Sequence, residues 1–211
     1  MSGSFNVSPI KIELPPDGSP STVRVLNLES TPVLVRIEAR SWADEIDSAP
    51  RSSEVLAVPP VVEVPGGGAQ VVRLALRRPL TGSLEKAFRL LISEVPRERP
   101  DGVQGVTLTL RLALPIFVTP PGAVSDTSWA IVRTAGEDAH LVAMNKGAAH
   151  LLLKELKASD AELLEGATYV LAGESKSWPL DTPLSALPDV VEVRAETNRG
   201  PLVAEVRPRA Q

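Results

Sequence analysis

Two serine–lysine pairs, Ser8…Lys11 and Ser83…Lys86, have the spacing at which a lysine serves a serine nucleophile in penicillin-binding enzymes. That chemistry needs a helix, where positions i and i+3 share a face. On a strand the same two positions point to opposite sides. Lys11 lies in the alternating stretch "VSPIKIEL" and Ser83 just precedes the strand-like "KAFRLLISE", so neither pair is placed for catalysis. The two histidines, His140 and His150, lack a third ligand at a metal-binding spacing and are expected as surface or strand residues. "GGG" at 66–68 precedes a strand pattern and not a helix N-terminus, so it reads as a turn and not as a phosphate loop. Asp44, Glu45 and Asp47 form an acidic cluster without the ligand number and glycine of a calcium loop, and are expected to be solvated. The residues therefore offer no catalytic set, no metal site and no cofactor site.

The elements that carry these residues alternate with a period of two. Val23 and Val25, then Val35, Ile37 and Ala39, then Val72, Leu74 and Leu76, then Phe88, Leu90 and Ile92 each define one apolar face. "PPDGSP", "PP" at 59–60, "PGGG" at 65–68 and "PRERPDG" punctuate them as turns. About seven such strands make an immunoglobulin-like sandwich the leading fold. One phase slip stands out: Phe5 and Val7 are odd, whereas Ile10, Ile12 and Leu14 are even, and the change falls at Pro9. A one-residue slip exchanges the buried face. A first strand that begins in one sheet and ends in the other would produce it, and Pro9 suits an edge.

"VTPPGAV" at 118–124 is the expected boundary between a first domain, residues 1–120, and a smaller second sandwich, residues 121–211. In the second, "LLLKELKASDAELLEG" has helix-forming composition, but its neighbours are strands and a strand is expected. The chain of 211 residues is 43% hydrophobic, enough for such cores. Its net charge of −4 argues against general nucleic-acid binding, and no apolar run reaches membrane-spanning length. With 0 cysteines, a disulfide scaffold and thiolate zinc sites are excluded. The start, "MSGSFNV", has no charged segment followed by an apolar one and reads as a mature chain without a signal peptide, which leaves compartment open.

The longest alternation is "VTLTLRLALPIFV", residues 106–118. Val106, Leu108, Leu110, Leu112, Leu114, Ile116 and Val118 share one face; Arg111, Pro115 and Phe117 fall on the other. Thirteen extended residues span roughly 43 Å, more than a small sandwich needs. Either the whole row packs inside its own domain, or part of it is meant for something else.

"VSPIKIEL", "RVLNLES", "SWADE", "VPPVVEVPGGGAQVVRL", "KAFRLLISEVP" and "TLTLRLALPIFVTPPG" follow one another in an order and spacing that resembles the periplasmic pilus-assembly chaperones of the bacterial chaperone–usher pathway, and within them the divergent branch called archaic. The resemblance covers residues 5–121. It implies an all-β chain of two immunoglobulin-like domains in an L or boomerang arrangement. It also implies that the chain binds pilin-like subunits lacking their last strand and delivers them to an outer-membrane usher, without a nucleotide. The donor positions would be Val106, Leu108, Leu110 and Leu112. Four such side chains in a groove would contribute about 6–12 kcal/mol gross before binding entropy. An uncapped donor edge would also favour self-association.

The family anchors the subunit's terminal carboxylate with an arginine in the first strand and a lysine in the last strand of the first domain. Lys11 stands at the first position, and the second falls near Pro115, which carries no charge. Arg89 is the expected replacement, because it is out of phase with Phe88, Leu90 and Ile92; Arg111 ranks behind it. Glu85 matches the acidic member of the family's interdomain ion network, but Thr119 stands where an arginine is usual. Two other functions compete: a structural or adhesive pair of immunoglobulin-like modules, and a carbohydrate binder. The second is disfavoured by only 3 Trp, 1 Tyr and 3 Phe.

Overall fold

The computed structural model describes residues 5–43, 45–96, 109–133 and 138–209. The chain is all-β. Among the described residues one 3-10 turn, Leu184–Ala186, is the only helical element, and no helix is long and apolar enough to cross a membrane. Two compact units are present: residues 1–82 with 86–120, and residues 83–85 with 121–211.

The first unit contains, in chain order, β1 (Phe5–Ser8), β2 (Ile12–Glu13), β3 (Ser21–Asn27), β4 (Val33–Ser41), β5 (Val55–Val58), β6 (Val61–Val64), β7 (Ala69–Leu76), β8 (Lys86–Glu94) and β9 (Arg111–Val118). One sheet has the order β1-β3-β7-β5 and the other β2-β9-β8-β4-β6. The apolar phase of each strand faces the space between them, as the alternation requires. Val23, Val25, Val35, Ile37, Val72, Leu74, Phe88, Leu90 and Ile92 are all buried in one cluster. The slip at Pro9 is a change of sheet: β1 pairs with β3, and β2 pairs in parallel with β9. Both halves bury their apolar residues in the same core, Phe5 and Val7 before the slip, Ile12 and Leu14 after it. Ile10 does not follow; at 74% exposure it belongs to the crossover itself. "PGGG" is the expected turn. A side chain at Gly66 would lie 2.0 Å from the Ser30 carbonyl oxygen, so only glycine fits there.

The second unit continues with β10 (Thr127–Arg133), β11 (Asp138–Asn145), β12 (Leu151–Ala158), β13 (Ala161–Glu162), β14 (Thr168–Val170), β15 (Ser175–Pro183), β16 (Val191–Thr197), β17 (Gly200–Val206) and β18 (Pro208–Arg209). Its sheets are β15-β11-β10-β18 and β13-β12-β16-β17, with β14 on β12. The helix-like composition at 151–166 is overridden: Leu151, Leu153 and Leu156 are buried in the sandwich core. A bulge between Leu153 and Glu155 shifts the register there.

Both units close a strand end with a buried asparagine. Asn27 donates to the carbonyls of Thr31 (2.8 Å) and Val64 (3.0 Å) and accepts from the Glu29 amide (2.9 Å). Asn145 donates to Ala149 (2.8 Å) and Val170 (3.0 Å) and accepts from the amides of Asp126 (3.1 Å) and Gly147 (3.0 Å). Each satisfies backbone groups that leave the ladder at a turn.

Candidate functional site

Along its whole length β9 pairs with β8, from Ser93↔Arg111 to Lys86↔Val118. Among the described residues its other edge is paired only at one end, where Ile12 and Glu13 of β2 lie beside Ile116 and Phe117. The Leu14 amide adds a bond to the Phe117 carbonyl at 2.8 Å, and Pro15 and Pro16 then end the pairing. Among the described residues, no strand pairs with that edge from Arg111 to Pro115.

The even-numbered row of β9 is graded. Ile116 and Val118 are fully enclosed and Leu114 is 8% exposed, all within the core of the first unit. Leu112 and Leu110 are only partly buried against the same core. Val106 and Leu108, the other two expected donor positions, lie outside the described residues. The expected strand over 106–118 is therefore described as a strand only from Arg111, and its deep end is ordinary core.

The opposite face of this sheet carries the charge. In register across it stand Arg40, Arg89 and Pro115. Arg89 points away from the core, as its phase requires, and its guanidinium lies over the Trp42 ring, 4.2 Å from the centroid. Trp42 in turn packs on Phe117, with centroids 5.8 Å apart and planes inclined by 33°. Phe117, in the phase read as facing away from the core, is nonetheless fully buried. The Nε of Arg89 is buried and has no hydrogen-bond partner among the described residues.

Its neighbours are committed elsewhere. Arg40 binds Glu38 at 3.0 Å and the Ala49 carbonyl at 2.9 Å, and Arg51 binds the other oxygen of Glu38. Burial alone would raise the Glu38 carboxyl. The hydrogen bond from Arg40 and the charges of Arg51, Arg40 and Arg36 outweigh it and hold the group below its ordinary 4.5. Arg111 is paired with Asp47, a member of the acidic loop cluster; Asp44 lies outside the described residues.

Lys11 immediately precedes the Ile12↔Ile116 pair, so it comes abreast of Pro115, and Arg89 is Pro115's partner on the other side. The two cations thus flank β9 in one row, about two strand spacings or ~10 Å apart along the sheet. Lys11 is half-exposed and paired with Glu13 at 2.6 Å.

A model of the pili and flagellar-assembly chaperones, the PapD N-terminal domain, matches residues 4–123. The chain belongs to this chaperone family. Solved structures of similar fold include the CsuC–CsuE chaperone–tip adhesion subunit pre-assembly complex from the archaic chaperone-usher Csu pili of Acinetobacter baumannii. That match covers 98% of this chain and 99% of the other, at 19% identity and a TM-score of 0.76. The E. coli chaperone DraB matches over 97% and 99%, with 19% identity and a TM-score of 0.71. The Salmonella enterica SafA pilin in complex with the SafB chaperone matches over 95% of each chain, with 16% identity and a TM-score of 0.71. No curated protein matches by sequence.

In this member of the chaperone family Glu85 has a partner that the sequence did not announce. Its carboxylate lies 2.8 and 3.0 Å from Nδ1 of His150 and accepts from the His150 amide at 2.9 Å, and the Glu85 amide binds the Ala148 carbonyl at 2.8 Å. All of these residues belong to the second unit. His150 is buried just before β12, edge-to-face with Tyr169, and so is neither the surface nor the strand residue expected. No histidine spacing signals a pair 65 positions apart. His140 lies partly buried on β11, and among the described residues no group of acidic and histidine side chains could hold a metal ion.

Proposed function

We propose that this chain is a periplasmic chaperone for pilin-like subunits that lend their groove to its β9 edge, and that it passes them to an outer-membrane usher. The observation that carries the proposal is the edge of β9 that no described strand pairs from Arg111 to Pro115, next to an arginine held over the Trp42 ring. A subunit short of one strand offers the complementary features: an unpaired edge and an apolar groove. Strand addition satisfies both, with backbone bonds supplying affinity and alternate side chains supplying specificity. Leu110 and Leu112, only partly buried against the chaperone's own core, have surface left to give; Val106 and Leu108 continue the same phase of the sequence. Arg89, with Lys11 across β9, receives the subunit's terminal carboxylate and so sets the register. Register is decisive because a slip of one residue turns the apolar row away from the groove. The same uncapped edge allows the chaperone to self-associate when no subunit is present.

The test is co-purification of a co-expressed pilin-like subunit. Arg89→Ala should cut capture at least ~10-fold, the scale of a charge-assisted hydrogen bond lost from a carboxylate, and Lys11→Ala should cost less. Extending the subunit's C-terminus should mimic Arg89→Ala, and the two changes together should add little further loss. If the losses simply add, Arg89 does not touch the carboxylate.

A further inference from the structure

We infer that Trp42 is the positioning residue for Arg89, fixing its guanidinium for a carboxylate; the inference rests on the anchor role proposed for Arg89. Two features of the sheet face require such a residue. Arg40 stands directly across from Arg89 in the β4–β8 register, and like charges in that position repel. Glu38, two residues before Arg40 on the same face, is bound at one oxygen by Arg40 and at the other by Arg51. A long arginine side chain left between a repelling neighbour and a saturated carboxylate would otherwise sample many rotamers. The ring of Trp42, 4.2 Å from the guanidinium carbon, supplies what the carboxylates do not.

How it does so matters. A ring beneath a guanidinium attracts the cation through the flat face of the group. The N–H donors lie in the guanidinium plane, so stacking uses none of them. An ion pair with a protein carboxylate would hold Arg89 just as firmly, but would occupy the fork that an incoming carboxylate needs. The Nε of Arg89 is enclosed and has no partner among the described residues, so no protein carboxylate holds the group from that side. Trp42 is itself fixed by Phe117, which is fully buried on β9. The stack of Phe117, Trp42 and Arg89 therefore ties the anchor to the strand whose register it governs. Lys11 has no such support: it is half-exposed and already paired with Glu13.

The probe is a short synthetic peptide of alternating valine and threonine with a free C-terminal carboxylate, compared with its C-terminal amide, each titrated into the full chain. The intact chain should prefer the carboxylate form about 10-fold or more. Trp42→Leu keeps an apolar side chain against Phe117 and removes the aromatic face. It should lower that preference about five-fold while leaving affinity for the amide unchanged, and Trp42→Tyr should recover part of it. Equal weakening toward both peptides would make Trp42 a packing residue only and overturn the inference, as would a Trp42→Leu chain that keeps its full preference. Should the leucine variant not fold, the tyrosine variant decides the matter, since its preference must fall below that of the intact chain with amide binding unmoved. A missing preference in the intact chain, or one that survives Arg89→Ala, instead removes the anchor reading on which the inference rests.

Discussion

The graded burial of β9 separates two kinds of leucine and isoleucine on one strand, and substitutions should separate them too. Ile116 is wholly enclosed in the first unit's core. Ile116→Ala removes methyl groups that have no route to solvent and leaves a cavity, at a cost of roughly 2–5 kcal/mol. Leu110 is only partly buried against the same core. Full burial of a leucine is worth about 1.5–3 kcal/mol, and the part of Leu110 left exposed in the free chain withholds some of it, so Leu110→Ala should cost the free chain less than Ile116→Ala. If Leu110 completes its burial in a subunit's groove, Leu110→Ala forfeits the remainder on capture, about 10-fold in affinity for each 1.4 kcal/mol. Urea unfolding of the free variants measures the first quantity, and two-unit unfolding calls for a local probe of the first unit. Amide hydrogen exchange along β8 and β9 provides one. The second quantity comes from the rate at which a captured pilin-like subunit dissociates. Ile116→Ala should unfold early, and Leu110→Ala should stay folded but lose its subunit quickly. A Leu110→Ala chain as unstable as Ile116→Ala would refute the reasoning, because the leucine would then be core and not a donor.

Two further outcomes follow from the buried polar groups. Asn145→Ala removes four hydrogen bonds and Asn27→Ala three, so the losses should be about 4 and about 3 kcal/mol, each confined to its own unit and read by amide hydrogen exchange. Because the Glu38 carboxyl is held below 4.5 in the folded chain, its contribution is complete above that pH and fades as the pH falls through the lowered value. Glu38→Gln should thus cost about 1 kcal/mol at neutral pH in chemical denaturation, with the gap to the wild-type chain closing in acid.

The sequence exposed whatever is written in a period of two. Val35, Ile37, Leu74 and Leu90 are buried because alternation is a local property and one face of a sheet has one place to go. The change of sheet at Pro9 was legible for the same reason, as a change of phase. What was hidden depends on segments distant in the chain. Phe117 has the wrong phase for the core, yet Trp42 beyond the end of β4 comes back to pack on it. His150 finds Glu85 only because residues 83–85 belong to the second unit. The direction of Arg89 followed from its phase, but its stacking on Trp42 did not. That contact is set by a loop, for which alternation has no vocabulary.

An edge strand left open is a risk of aggregation, and natural sheets blunt such edges with charges, prolines and short partners. β9 has all three: Arg111 paired to Asp47, Pro115 within the strand, and the two-residue β2 at its end. These devices do not act equally on every visitor. Suppose two copies of β9 paired antiparallel about Ala113. Arg111 of each would then face Pro115 of the other, placing a donor-less residue and a charge in the middle of the ladder. A strand that reaches β9 with its terminus at the Arg89 row meets Pro115 only at its end, where the ladder stops in any case. If Arg89 is the anchor, Pro115 therefore favours a foreign strand that ends at its row over a second copy of the chain.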